Sequence, residues 1–237
     1  MTQIRNGRWL FIVGGMCGIL YPILDLSFFA LYPLAAGGAM RSGTGVQTYM
    51  GRLAELGERP LVVALEWVHT LLPLLLLPFA LALYRLLSRG RRRNLGLLAL
   101  VFLLLSLGLT LPSNAMNATL NHDLGRSYME ATSEAERVAI FAAFRALGAW
   151  HGGLNQMASV LYLAFVGISC AGLVLSRTYR VRGWLGIGGA LFALFKLTPV
   201  WPGMTNFLWT GVAYTVWPIA VGIGLLRGPT EVEEPGV

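Results

Sequence analysis

Charge is what this sequence has least of. Asp, Glu, Lys and Arg together make up 12% of its 237 residues, while hydrophobic side chains make up 56%. Soluble domains carry about 25% charged residues, so the scarcity excludes an ordinary water-soluble enzyme and a disordered chain. Cysteine is nearly absent as well. Cys17 and Cys170 both lie inside apolar runs, which excludes a disulfide scaffold and leaves them as small buried hydrophobes. Lysine occurs once, at Lys196, every other cationic side chain being arginine. A formal net charge of +7 does not imply nucleic acid, because the arginines sit in short clusters between apolar runs and not as a patch interleaved with aromatics.

What is abundant is apolar sequence of membrane-spanning length, about 20 residues per span. Six such segments run Trp9 to Tyr32, Pro60 to Tyr84, Leu95 to Pro112, Ala149 to Leu175, Trp184 to Trp201 and Met204 to Leu226. The third is short but extends through Ser113 to Leu120 if the helix tilts. The expected fold is all-α: an integral membrane bundle of six transmembrane helices with two outer amphipathic segments. It forms a single domain over residues 1–228, followed by a short acidic cytoplasmic tail over 229–237. Arg5 and Arg8 before the first run resemble a signal peptide, but that run is too long and Asp25 interrupts it, so it reads as a retained helix.

Short basic loops stay on the cytoplasmic side of a membrane. Placing both termini inside puts Arg5, Arg8, Arg85, Arg89, the run Arg91 to Arg93, Arg177, Arg180, Arg182 and Arg227 on that face, while the outer arginines are matched by acids. The expected orientation therefore has both the N-terminus and the C-terminus in the cytoplasm. Trp9, Tyr32, Tyr84, Trp150, Trp184 and Trp201 at span ends fit an interfacial aromatic belt. In the first outer connection Val46, Tyr49, Met50, Leu53 and Leu56 recur at helical spacing, predicting an amphipathic helix on or near the membrane surface. In the second, Ser133 and Glu136 form a capping box for a greasy helix that feeds the fourth span. His122 and Asp123 fall in that connection, where adjacent polar residues are ordinarily solvated.

A charge in hydrocarbon is costly and usually faces a bundle interior or a water-filled cavity. Asp25, Glu66, His69, His151 and Lys196 are the ionisable residues inside the spans. At about 1.5 Å of rise per residue all of them fall in the outer half, where Asn114, Asn117, Asn155 and Asn206 join them. Lys196 needs an acid partner or a shifted pKa, and Asp25 and Glu66 are the available acids. Glu66 and His69 share a helix face three residues apart. With His151 they match a two-histidine, one-carboxylate zinc site with an open position, although a di-iron bundle would need a second such motif. Haem ligation by His69 and His151 requires their depths to coincide. His151-x-x-x-Asn155 with Ser169 does not make an intramembrane serine protease, since both pieces share one helix. Gly14-x-x-x-Gly18 and Gly148-x-x-x-Gly152 read as small-residue packing faces.

The run from Tyr162 through Leu175, the basic turn Ser176 to Arg182 and the entry Gly183-Trp184-Leu185-Gly186 resemble the end of a bacterial multi-pass membrane family known only as a domain of unknown function. That resemblance implies a six- or seven-helix inner-membrane protein and supplies no catalytic residue. The function expected from the residues is a membrane-embedded enzyme or binder that takes a lipid or other small amphipathic molecule in a polar, outward-facing intramembrane pocket. Glu66, His69, His151 and Asp25 would carry its chemistry, and Lys196, Asn155, Asn117 and Asn206 would contact the ligand. The competing classes are a small-solute transporter, disfavoured by the absence of repeated halves, and an accessory subunit whose buried polar residues only lock helices together.

Overall fold

The computed structural model describes residues 2–37, 45–88, 92–176, 178–195 and 211–228. The described residues form eight α-helices and no strand: α1 (Thr2–Ala36), α2 (Val46–Gly57), α3 (Pro60–Leu71), α4 (Leu76–Leu87), α5 (Arg93–Glu130), α6 (Glu134–Val174), α7 (Arg180–Phe195) and α8 (Trp217–Arg227). Four stretches are long and apolar enough to cross a membrane, namely Arg8–Ala36, Pro60–Leu87, Arg93–Glu130 and Glu134–Val174. They coincide with the first four expected spans. The fifth and sixth appear only as the 16-residue α7 and the equally short apolar stretch Val212–Arg227. The rest of those two expected spans, with Lys196 and Asn206, lies outside the described residues.

The second and third spans depart from the expected form in opposite ways. Pro60–Leu87 is interrupted by a tight 3-10 turn over Leu72–Leu75 that contains Pro73, where proline's missing N–H removes an α-helical bond. Pro112, by contrast, lies inside an unbroken 38-residue α5. At about 1.5 Å per residue α5 is about 57 Å long, nearly twice the ~30 Å hydrocarbon layer. The second outer connection is thus mostly helix, with α5 running to Glu130 and α6 starting at Glu134. The expected cap is present: the Glu136 backbone N–H donates to Ser133 Oγ at 3.2 Å, and the Glu136 carboxylate accepts from the Thr132 N–H at 3.1 Å. Replacing Ser133 by alanine should cost about 1 kcal/mol, read as a lower melting temperature in detergent.

The chain divides into two compact units. Unit 1 comprises Met1–Ile23, Leu74–Leu107 and Ala158–Val237, and unit 2 comprises Leu24–Pro73 and Gly108–Met157. Among the described residues every Asp and Glu falls in unit 2, whereas the charged side chains of unit 1 are all arginine. The asymmetry counted by loops in the sequence is thus a property of the two packing units.

Unit 1 has an aromatic centre. The buried Trp217 ring stands edge-on to Phe79 and Phe165, with centroids 5.7 and 6.0 Å away, and Leu83, Val166, Leu173 and Val221 are fully buried in the same unit. Glycines let its helices close in. A Cβ on Gly18 would stand 2.5 Å from the Phe79 ring, and one on Gly222 would stand 2.7 Å from the Gly15 carbonyl oxygen. The Gly14-x-x-x-Gly18 face is therefore a packing face as expected. Gly148 and Gly152 are not used this way, since a Cβ at either would meet nothing within 4 Å.

In unit 2 Ala36, Leu56 and Val62 form a small core flanked by Tyr32 and Ala35. Met50 and Leu56 of α2 are buried, and Gly125 of α5 approaches so closely that a Cβ there would be 2.9 Å from the Met50 carbonyl oxygen. The amphipathic α2 expected at a membrane surface is thus packed on α5, leaving Val46 and Tyr49 exposed. Arg59, ion-paired with Glu55, donates from Nη1 to the Ala36 carbonyl at 2.7 Å, capping the carboxyl end of α1. Gly37 follows with φ 55°, the left-handed geometry that favours glycine at this position.

Candidate functional site

All described ionisable residues of the expected site lie in unit 2. Two periodicities bring most of them together. On α1, Asp25, Phe28, Phe29 and Tyr32 recur at helical spacing on one face. On α3, Glu66 and His69 share another. The faces meet through a carboxylate–imidazole pair, Asp25 with His69, and through the Tyr32 hydroxyl on Glu66, whose carboxylate forms a second such pair with His122 of α5.

In the first pair, His69 Nε2 stands 3.2 Å from Asp25 Oδ1, and each side chain is 29% exposed. The His69 ring stacks on Phe28 with centroids 4.1 Å apart, and Phe29 meets it edge-on at 6.0 Å. Phe28 in turn touches Tyr32, at 5.2 Å between centroids. This pair is open on one side and backed by aromatic rings.

The second pair is buried. His122 Nε2 lies 2.6 Å from Glu66 Oε2, with the side chains only 9% and 12% exposed. The other carboxylate oxygen, Oε1, accepts a hydrogen bond from the Tyr32 hydroxyl at 2.8 Å. His122 Nδ1 faces the Leu53 carbonyl oxygen at 2.9 Å. A carbonyl only accepts, so Nδ1 carries a proton, and one further proton lies on the line between Nε2 and the carboxylate. Gly57 makes room for the imidazole: a Cβ on it would stand 2.7 Å from His122 Cβ. Three helices, α1, α3 and α5, therefore converge on the Glu66 carboxylate, and α2 supplies the carbonyl behind its partner.

His122 corrects the sequence expectation. It is not a solvated loop residue but a buried residue on α5, and it is the partner of Glu66. The signal was its spacing: Ala118, His122 and Gly125 recur at i, i+4 and i+7, and all three are buried. The polar neighbours Asn121 and Asp123 concealed that face.

His151 belongs to a separate arrangement. Its Nδ1 lies 2.7 Å from Ser113 Oγ and 3.1 Å from the Ser113 carbonyl oxygen, while Nε2 faces Asn155 Nδ2 at 3.2 Å. The carbonyl requires the proton on Nδ1, so Nε2 accepts from the Asn155 amide. Ser113 is fully buried, and this cluster ties α5 to α6. The expected triad of Glu66, His69 and His151 is thus not brought together, because each goes to a different partner. Among the described residues no three His, Cys, Asp or Glu side chains are grouped so as to hold a metal ion. Of the expected ligand contacts, Asn155 is engaged with His151, and Asn117 is exposed and bonded to Asn121.

Comparison of the chain with protein-family models, with curated proteins and with solved structures finds no match.

Proposed function

We propose that this is a multi-pass protein of a bacterial cytoplasmic membrane, with both termini in the cytoplasm, that binds or transforms a small amphipathic molecule at the Asp25–His69 pair. The observation that carries the reading is the contrast between the two carboxylate–imidazole pairs that α3 forms, one with α1 and one with α5. The Glu66–His122 pair is buried and saturated by Tyr32, as befits a group that positions helices or holds a proton. The Asp25–His69 pair is open and lies against Phe28 and Phe29, so it offers an acid–base couple beside an apolar surface. Asp25 and His69 are the residues that would contact the ligand. Glu66, His122 and Tyr32 would hold α1 and α3 in register behind them. The confinement of the described carboxylates to unit 2, which leaves the arginines of unit 1 unbalanced, supports the orientation, and the resemblance around residues 160–190 belongs to the same proposal.

A second reading, an accessory subunit whose polar residues only lock helices, is favoured by one observation: each imidazole already has a partner within the chain. Native mass spectrometry of protein extracted in mild detergent separates the two. A co-purifying lipid or amphiphile retained by the wild type and lost in Asp25→Asn and His69→Gln, with melting temperatures unchanged, is the expected result. Absence of any bound species in the wild type, or its retention in both variants, would overturn the site reading.

A further inference from the structure

The charged side chains of unit 1 are all arginine among the described residues, and packing gathers them at one end. Gly15 of α1 faces Gly222 and Leu226 of α8, which brings Arg8 and Arg227 to the same end of those helices. Leu87 of α4 fills the space before both Gly96 of α5 and Gly172 of α6, placing Arg85 and Arg93 with them. The Tyr179 hydroxyl donates to the Gly224 carbonyl at 3.0 Å, and the Arg182 guanidinium lies over the Tyr179 ring, 5.2 Å from its centroid, and against Gly224. Arg180 therefore joins the same end. No described carboxylate of unit 1 balances these charges.

What surrounds the arginines identifies the partner. Trp9 beside Arg8 is 66% exposed, Val181 between Arg180 and Arg182 is 83% exposed, and Trp184 is 59% exposed. Exposed tryptophan and aliphatic side chains alternating with arginine do not suit a hydrated polyanion. They suit the boundary where headgroup phosphates meet acyl chains, tryptophan taking the interface and arginine reaching toward phosphate. We propose that this end of unit 1 is a binding surface for anionic phospholipid headgroups. It acts independently of the Asp25–His69 reading, which concerns side chains of unit 2 only.

The test is native mass spectrometry of full-length protein in detergent with equal concentrations of dioleoylphosphatidylglycerol and dioleoylphosphatidylcholine. The wild type should retain phosphatidylglycerol preferentially. The preference should weaken as salt rises from about 0.05 to about 0.5 M and survive excess inorganic phosphate. Arg93→Gln, Arg180→Gln and Arg227→Gln, all exposed residues, should each lower phosphatidylglycerol affinity about fivefold, while Arg145→Gln in unit 2 should leave it unchanged. Equal retention of the two lipids by the wild type would overturn the proposal without recourse to any variant. So would displacement by inorganic phosphate, or an unchanged preference in the three variants.

Discussion

Glu66→Ala is expected to destabilise the protein by about 3–5 kcal/mol, the cost of removing one partner from a buried ion pair. The carboxyl group is bonded to both Tyr32 and His122, so alanine strands two polar groups in a site whose remaining imidazole is only 9% exposed. Tyr32→Phe, which removes one donor and leaves the pair intact, should cost about 1 kcal/mol. Asp25→Asn should cost less than about 1 kcal/mol, because Asp25 and His69 are each 29% exposed and water screens such a pair. Denaturation midpoints in detergent would rank the three. Equal losses for Glu66→Ala and Asp25→Asn would sink the distinction between a buried positioning pair and an open ligand-facing one.

The second large effect concerns glycines that look alike in sequence. Gly14→Ala should cost about 1–3 kcal/mol or more, since the new methyl group would collide with Ala82 Cβ and stand 2.7 Å from the Pro78 carbonyl oxygen. Backbone cannot swing aside, so α1 must move away from α4. Gly152→Ala places its methyl where nothing lies within 4 Å and removes the helix-interior penalty of glycine, about 1 kcal/mol. It should be neutral or stabilising. Melting temperatures of the two variants in the same detergent decide the matter, and a loss at Gly152 equal to that at Gly14 would show that the face beside Gly148 is packed after all.

Much of the architecture was legible in the residues. Uninterrupted apolar runs required helices, because lipid leaves no other way to satisfy the backbone, and the four long stretches fall where hydropathy placed them. The capping box at Ser133 and the amphipathic pattern of α2 were equally local, and both are present. Less legible was where a helix stops. The polar residues from Ser113 to Glu130 look like a connection, yet they continue α5, since their helical face packs beneath α2 at Gly125 and Gly57. A sequence window registers average polarity, and here one buried face outweighs it.

The candidate site divides along the same line. The sequence by itself determined that the chain has helices long and apolar enough to span a membrane, that part of its arginine lies apart from any acid, and that Asp25, Glu66, His69 and His151 are the rare ionisable groups that need partners. Only the tertiary structure decided who those partners are: Asp25 for His69, His122 and Tyr32 for Glu66, Ser113 and Asn155 for His151. Glu66 and His69 share a helix face, but each reaches a residue on another helix. The physical reason is that burying a charge fixes the need for a partner locally, whereas its identity depends on the rotation and register of packed helices. Those are set by contacts between residues far apart in the chain, such as Gly57 against His122, which no local pattern encodes.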